Sequence, residues 1–192
     1  MTIAENIARI RANMAAAARE AGRDPKEILL VGASKMNDAA ACREAVAAGI
    51  DALGENRVQE MVQKLEQHAY DGAPLHFIGH LQRNKVKQVV GHVALIQSVG
   101  SLELLDEIEK VAAARGLVQD ILLEVNIGRE AAKSGFAPEK VLPAAEAALE
   151  RTHVRVRGLM TIPPADAQRD ANFRYFQEVQ ALYVDTVSYT HL

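Results

Sequence analysis

The sequence predicts an α/β protein of the (β/α)8 TIM-barrel type, incomplete at about six strands and preceded by one extra helix. Short apolar runs alternate with amphipathic helical patterns along the chain, which favours parallel strands joined by helices. No Gly-x-Gly-x-x-Gly pattern follows the first predicted strand, which weakens the alternative of a doubly wound dinucleotide-binding sheet. A polar residue stands at each predicted strand end, as expected around a barrel mouth: Lys35, Asn56, His80, Ser98, Asn126 and Thr161.

The beginning of the chain predicts one helix followed by two strand–helix units. Thr2 and Glu5 have the spacing of a capping box at the start of the first helix, and Gly22 ends it. The apolar run over residues 28–33 predicts a strand that is buried on both faces, as in a parallel sheet. Asp38 is placed to cap the second helix. A second strand over 52–54 leads into a helix with four apolar residues on one side: Val58, Met61, Val62 and Leu65.

Four more strand patterns follow, over residues 75–80, 94–99, 121–126 and 156–162. A short basic helix is predicted around residues 84–90. Ser101 predicts the cap of the next helix, and Gly116 predicts its end. Pro138 is typical of the first turn of the helix after the fifth strand. The last helix carries the apolar residues Phe173, Phe176, Val179 and Leu182.

The composition limits the class of protein. The chain has 192 residues, of which 49% are hydrophobic, and this is enough for one sizeable core. The net charge of -3 gives no general attraction to nucleic acid or to anionic membranes. We find no apolar run long enough to span a bilayer and no export leader at the N-terminus. The single cysteine, Cys42, excludes an internal disulfide and predicts a cytoplasmic protein.

Lys35 follows the first predicted strand at the carboxyl end, where α/β proteins place their chemistry. Partial desolvation favours the neutral amine of a lysine, and that amine can attack an aldehyde to form a Schiff base. The alternative is a lysine that lies just past the strand and extends into water.

Seven short stretches carry a more specific signal, because they occur in a fixed order with strand–helix spacing between them. They are residues 30–35 (Leu-Val-Gly-Ala-Ser-Lys), 54–60, 76–85, 97–99, 123–127, 133–136 and 158–163. Through these stretches the chain, from Ile3 to about Asp185, resembles the pyridoxal 5′-phosphate (PLP) homeostasis proteins, the YggS/PROSC family. Members of that family are single-domain relatives of the alanine racemase barrel.

The resemblance implies that Lys35 holds PLP as a Schiff base and that the protein serves intracellular PLP (vitamin B6) homeostasis without established catalysis. It also implies that Asn56, His80 and Met160 lie beside the cofactor. Each of these three has a simpler alternative: Asn56 as a helix cap, His80 held by a backbone carbonyl, and Met160 as filling of the barrel. Lys133 matches a second family lysine near the pocket mouth. The resemblance implies no catalytic residue and no metal.

The chain departs from the family pattern in three places. Residues 128–132 read Gly-Arg-Glu-Ala-Ala where the family has a Gly-Glu-Glu-Ser-like turn, and Gly100 replaces a commonly acidic residue. The two later segments that grip the PLP phosphate in the family are absent. We therefore expect residues 1–186 to form a truncated PLP-binding barrel and residues 187–192 to form a tail unlike the family. Such a chain should bind PLP more weakly and associate through its open side.

Other functions remain open at this stage. A PLP-dependent amino-acid racemase would reuse Lys35 as one base but needs a second base on the opposite face of the ring. A PLP-free aldolase would need a carboxylate or a second lysine beside its lysine, and Glu124 is the candidate on an inward strand position. A scaffold without a small ligand would use a basic surface after the third strand, at Arg83, Lys85 and Lys87. The resemblance further implies PLP-dependent apo-enzymes as partners and a monomeric full-length form.

Overall fold

A computed structural model describes residues 1–165 and 168–190, and in these residues six strands alternate with helices after an N-terminal helix. The strands are β1 (Val31–Ala33), β2 (Ala52–Glu55), β3 (Leu75–Phe77), β4 (Leu95–Val99), β5 (Gln119–Val125) and β6 (Val154–Thr161). The α-helices are α1 (Ile3–Glu20), α2 (Ala39–Ala47), α3 (Val58–Glu66), α4 (Leu102–Arg115), α5 (Val141–Leu149) and α6 (Arg169–Thr190). The chain forms two compact units, Met1–His76 and Phe77–Leu192, and β3 spans their boundary.

In the first unit, local signals start the helices and parallel pairing orders the strands. The Thr2 hydroxyl accepts a hydrogen bond from the Glu5 N–H (3.1 Å), and the Glu5 carboxylate accepts one from the Thr2 N–H (2.7 Å). This confirms the predicted capping box. β1 pairs in parallel with β2. The Leu53 N–H donates to the Pro74 carbonyl (3.0 Å), just before β3, so the strands of this unit follow chain order.

The first strand is shorter and more exposed than the sequence predicted. Only residues 31–33 of the run join the sheet, Ala33 is exposed, and Leu29 is 64% exposed. The prediction of a strand buried on both faces was therefore wrong. The reason lies in the backbone partners, because the Leu30 N–H donates to the Asp51 carboxylate (2.6 Å) and not to a neighbouring strand.

In the second unit, β4, β5 and β6 pair in parallel and again follow chain order. Leu159 and α6 pack against a core of Val125, Ile127 and Val141. Adjacent residues of a strand point to opposite faces of a sheet, so Glu124, which lies opposite Met160 in the register, faces away from this core. Among the described strands of each unit, none shows the reversal of order that a doubly wound sheet requires.

Two predicted helices consist wholly or in part of tighter 3-10 helix. The basic helix expected around residues 84–90 is a 3-10 helix over Arg83–Gln88. Pro138 opens a 3-10 turn, Pro138–Lys140, that runs directly into α5. The α4 signals are confirmed, because the Ser101 hydroxyl accepts from the Leu104 N–H (3.2 Å) and Gly116 ends the helix with φ 64°.

The inward face of α6 differs in part from the prediction. Phe173 and Phe176 are 64% and 55% exposed. Tyr175 packs on the core together with Val179 and Leu182, which were predicted. Successive residues of an α-helix lie about 100° apart around its axis, so the neighbours Tyr175 and Phe176 point in different directions. None of the helices within residues 1–165 and 168–190 is both long and apolar enough to cross a membrane.

We predict that Leu182→Ala lowers the free energy of unfolding by about 2 kcal/mol, because it leaves a gap against the Val125 core. Phe176→Ala on the same helix should change it by less than about 0.5 kcal/mol, because that ring is mostly exposed. Urea denaturation of both variants measures the difference. A larger loss for Phe176→Ala would contradict this orientation of α6.

Candidate functional site

Lys35 lies in the turn that follows β1, two residues past Ala33, and its side chain is exposed. In the part of the chain that the structure describes, no residue accepts a hydrogen bond or forms an ion pair with its ammonium. The predicted position at the carboxyl end of the strand is confirmed, and the exposed side chain agrees with the alternative of a lysine that extends into water. Lys35 is thus an accessible primary amine on a turn whose two flanking residues are held in place.

The residue before it, Ser34, belongs to a buried polar group that we call the Glu55 cluster: Ser34, Glu55, Lys64 and Tyr70. Glu55 is fully buried and Lys64 is 7% exposed. The Lys64 ammonium forms an ion pair with Glu55 and donates to the Ser34 carbonyl (2.8 Å). The Ser34 hydroxyl is within 3.0 Å of the same Glu55 oxygen, to which the Tyr70 hydroxyl also donates (3.4 Å). The cluster therefore joins β1, β2, α3 and the segment after α3.

Burial sets the protonation of two groups around this cluster. It raises the pKa of the Tyr70 hydroxyl, and the Glu55 carboxylate raises it further, so that Tyr70 remains a hydrogen-bond donor. Burial likewise raises the pKa of the Cys42 thiol, partly offset by the Lys64 charge. Cys42 is 2% exposed, which confirms its interpretation as a small core residue.

The residue after Lys35 is held by a second carboxylate. Met36 has φ 61°, in the left-handed region that residues with a side chain seldom adopt. Its N–H donates to Glu60 on α3 (3.1 Å), and the same carboxylate lies 3.8 Å from the Lys64 ammonium. The backbone on both sides of Lys35 is thus bound to α3.

Asn56 follows β2 and does not cap the next helix. The first residue of α3 is Val58, its N-cap position is Arg57, and no side chain caps it. The Asn56 N–H donates to Glu55 (3.2 Å). Its side-chain oxygen is buried and has no hydrogen-bond partner among the described residues. A buried acceptor without a partner costs free energy unless a ligand or water supplies the donor.

His80 and Met160 lie in the second unit. His80 is exposed and lines two clefts of about 550 and 560 Å³. No backbone carbonyl among the described residues holds its ring, in contrast to the simpler alternative. Met160 is half-buried, and it lies opposite Glu124 in the register of β5 and β6.

The loop after β5 forms one wall of the second cleft. The Asn126 side chain donates to the Glu130 carbonyl (2.8 Å) and accepts from the Glu130 N–H (3.1 Å), which closes the loop. Lys133 lines the cleft and pairs with Glu130 (2.6 Å). The Ser134 hydroxyl donates a hydrogen bond to the Glu124 carboxylate (3.1 Å). Both residues line the cleft.

Two glycines explain one departure from the family pattern. A Cβ atom on Gly100 would lie 2.7 Å from the Gly135 nitrogen, closer than real Cβ contacts come. Gly135 has φ 112° and equally lacks room for a Cβ, 2.7 Å from the Asn126 nitrogen. An acidic side chain at position 100 does not fit this loop arrangement.

The sequence reasoning missed the Glu55 cluster. Lys64 lies between Met61 and Leu65 on the inward side of α3, where a charged residue is unexpected. A charged residue within the apolar stripe of this helix was the sequence feature that could have indicated the Glu55 cluster. Among the described residues, no group of three or more His, Cys, Asp or Glu side chains could hold a metal ion.

Comparison with known sequences gives consistent matches over nearly the whole chain. Residues 6–190 match the family described as alanine racemase, N-terminal domain. The chain is 40% identical over 184 residues to the pyridoxal phosphate homeostasis protein of Pseudomonas aeruginosa, covering 96% of this chain and 80% of the relative. It is also 40% identical over 182 residues to the Aquifex aeolicus protein of the same name, covering 95% and 80%.

Solved structures match the fold. The crystal structure of an unknown protein from Bifidobacterium adolescentis has a TM-score of 0.91 at 31% identity, covering 97% of this chain and 79% of that one. PipY of Synechococcus elongatus, solved with PLP bound, has a TM-score of 0.84 at 28% identity, covering 98% and 84%. Alanine racemase of Clostridium difficile, at 16% identity, TM-score 0.72 and coverage of 85% and 44%, shows the fold alone. The predicted TIM-barrel-type fold class is confirmed.

We predict that Lys64→Met lowers the free energy of unfolding by about 3–5 kcal/mol, because it leaves the Glu55 carboxylate buried without its cation. The double variant Lys64→Met, Glu55→Gln should recover much of that loss, since no unpaired charge then remains. Lys110→Met is the control, because it removes an ion pair on the surface of α4. A loss for Lys64→Met no larger than for Lys110→Met would refute the buried pair.

Proposed function

Since the chain belongs to the pyridoxal phosphate homeostasis protein family, we propose that it binds PLP, holds it as a Schiff base on Lys35 and serves PLP homeostasis. The observation that carries this proposal is the position of Lys35. It is an accessible amine without an ion-pair partner among the described residues, at the carboxyl end of a barrel strand. Its relatives from Pseudomonas aeruginosa and Aquifex aeolicus bear the name of this function, and PipY has been solved with PLP bound.

PLP supplies an aldehyde when bound, and Lys35 supplies the nucleophile. The neutral amine adds to the aldehyde carbon, and loss of one water molecule leaves the carbon–nitrogen double bond. No oxidant or metal is needed for this step, and addition of water reverses it. Reversibility suits a protein that stores or transfers PLP while keeping the free aldehyde away from other amines.

Three further residues that the family resemblance suggests are proposed as PLP contacts, and each has a property that suits this role. The buried Asn56 side-chain oxygen has no donor among the described residues and can accept a hydrogen bond from a hydroxyl or a ring N–H. His80 offers an exposed imidazole at two clefts. Met160 offers a polarizable side chain that packs well on an aromatic ring. These assignments come from the family resemblance and are tested by single substitutions to alanine.

The proposal assigns no catalytic turnover to the chain. An amino-acid racemase of this fold would interconvert the enantiomers of alanine once loaded with PLP. Polarimetric or chiral chromatographic assays with alanine and other amino acids distinguish the two functions, and turnover above that of free PLP would favour the racemase. Four further points stay predictions. Residues 1–186 form a PLP-binding barrel, PLP-dependent apo-enzymes are partners, the full-length form is monomeric, and the location is cytoplasmic.

We predict that Lys35→Ala abolishes the borohydride-reducible PLP adduct, because the nucleophile is lost. The fold should be almost unchanged, since the side chain is exposed and lacks partners among the described residues. The absorbance spectrum before and after borohydride measures the adduct, and circular dichroism measures the fold.

Lys26→Ala is the matched control, because Lys26 is also exposed and belongs to the same unit. It should retain the adduct at the level of the unchanged chain. If Lys35→Ala also retains it, another lysine carries PLP, and Lys133 is the first to test.

A further inference from the structure

Three hydrogen bonds tie the backbone on either side of Lys35 to β2 and α3. The Ser34 N–H donates to the Gly54 carbonyl (2.9 Å), and the Ser34 carbonyl accepts from Lys64 (2.8 Å). On the other side of Lys35, the Met36 N–H donates to Glu60 (3.1 Å). These contacts bind the backbone on either side of an otherwise free side chain.

The groups that take part in these bonds have unfavourable environments or backbone conformations. Lys64 and Glu55 are almost completely buried, and a buried ion pair seldom stabilises a fold more than apolar residues of the same size would. Met36 is held in a backbone conformation that its side chain disfavours. Strain and buried charge next to one reactive amine indicate a requirement on the position of that amine.

We propose that Glu60 and Lys64 are positioning residues for Lys35, which act through the backbone of Met36 and Ser34. The inference rests on the proposed function, because it assigns these two residues to the reaction of Lys35 with PLP. Glu60 and Lys64 are one turn apart on α3, and their charged groups lie 3.8 Å from each other. One helix therefore sets both ends of the turn.

Loss of the Glu60 acceptor releases the Met36 N–H and removes the bond that offsets its left-handed conformation. The turn then samples other conformations, and the Lys35 amine spends less time where it can react. Reaction rates fall steeply when a reacting group is misplaced, so the effect should be on the rate of PLP uptake. The unfolding midpoint should change little, because Glu60 is only half-buried.

The test compares Glu60→Ala with Glu60→Gln and with the unchanged chain. Both variants remove the charge, but only glutamine keeps a side-chain oxygen that can accept from the Met36 N–H. We expect Glu60→Ala to slow formation of the PLP adduct on the order of tenfold, and Glu60→Gln to recover most of that rate. Stopped-flow absorbance after mixing with PLP gives the rate.

Hydrogen–deuterium exchange provides a second readout that needs no PLP. The Met36 amide should exchange on the order of tenfold faster in Glu60→Ala and near the original rate in Glu60→Gln. Glu66→Ala is the control, because Glu66 is an exposed acid on the same helix and its side chain forms no hydrogen bond or ion pair with the described residues. It should leave both readouts unchanged.

The outcomes separate the two proposals. If PLP reacts with Lys35 equally fast in all variants, the positioning role of Glu60 is wrong and the proposed function stands. If the Met36 amide exchanges equally fast in all variants, the positioning role of Glu60 is wrong whatever the outcome with PLP. If the unchanged chain forms no adduct on Lys35, the proposed function is wrong and the role assigned to Glu60 and Lys64 falls with it. Faster exchange in Glu60→Ala would then show only that Glu60 holds the turn.

Discussion

The buried ion pair between Glu55 and Lys64 is the interaction on which the organisation of the first unit depends. Each charge is expensive to remove from water, so the pair persists only while β2 and α3 keep both groups in contact. The same ammonium binds the Ser34 carbonyl, which links β1 to that pair. The end of β1, and with it the start of the Lys35 turn, is therefore held by this buried pair as well as by backbone pairing with β2.

In this arrangement the backbone beside Lys35 is held in place while the Lys35 side chain stays accessible. The backbone beside Lys35 is tied to buried or half-buried groups, whereas its side chain extends from an exposed turn. A carrier of a reactive aldehyde needs both properties, because the amine must be reachable by PLP and still be presented in one place.

Patterns within a few residues were predicted well, and features set by distant neighbours were not. The Thr2–Glu5 capping box and the end of α4 at Gly116 follow from local backbone chemistry. The extent of β1 depends on Asp51, about twenty residues away. Its carboxylate accepts the hydrogen bond of the Leu30 N–H, so that residue does not pair with a neighbouring strand. The burial of Lys64 depends on Glu55, and helical periodicity cannot show that a charge on an inward face has a partner. The position of Lys35 followed from strand order, whereas the strand pattern left open whether its side chain is partly desolvated or extends into water.

The central claim is that one lysine, Lys35, carries PLP, and peptide mapping tests it most directly. The chain is loaded with PLP, reduced with borohydride and digested, and mass spectrometry locates the pyridoxyl group. The account predicts a single labelled peptide that contains Lys35. A label on Lys133, or one spread over several surface lysines, would contradict it.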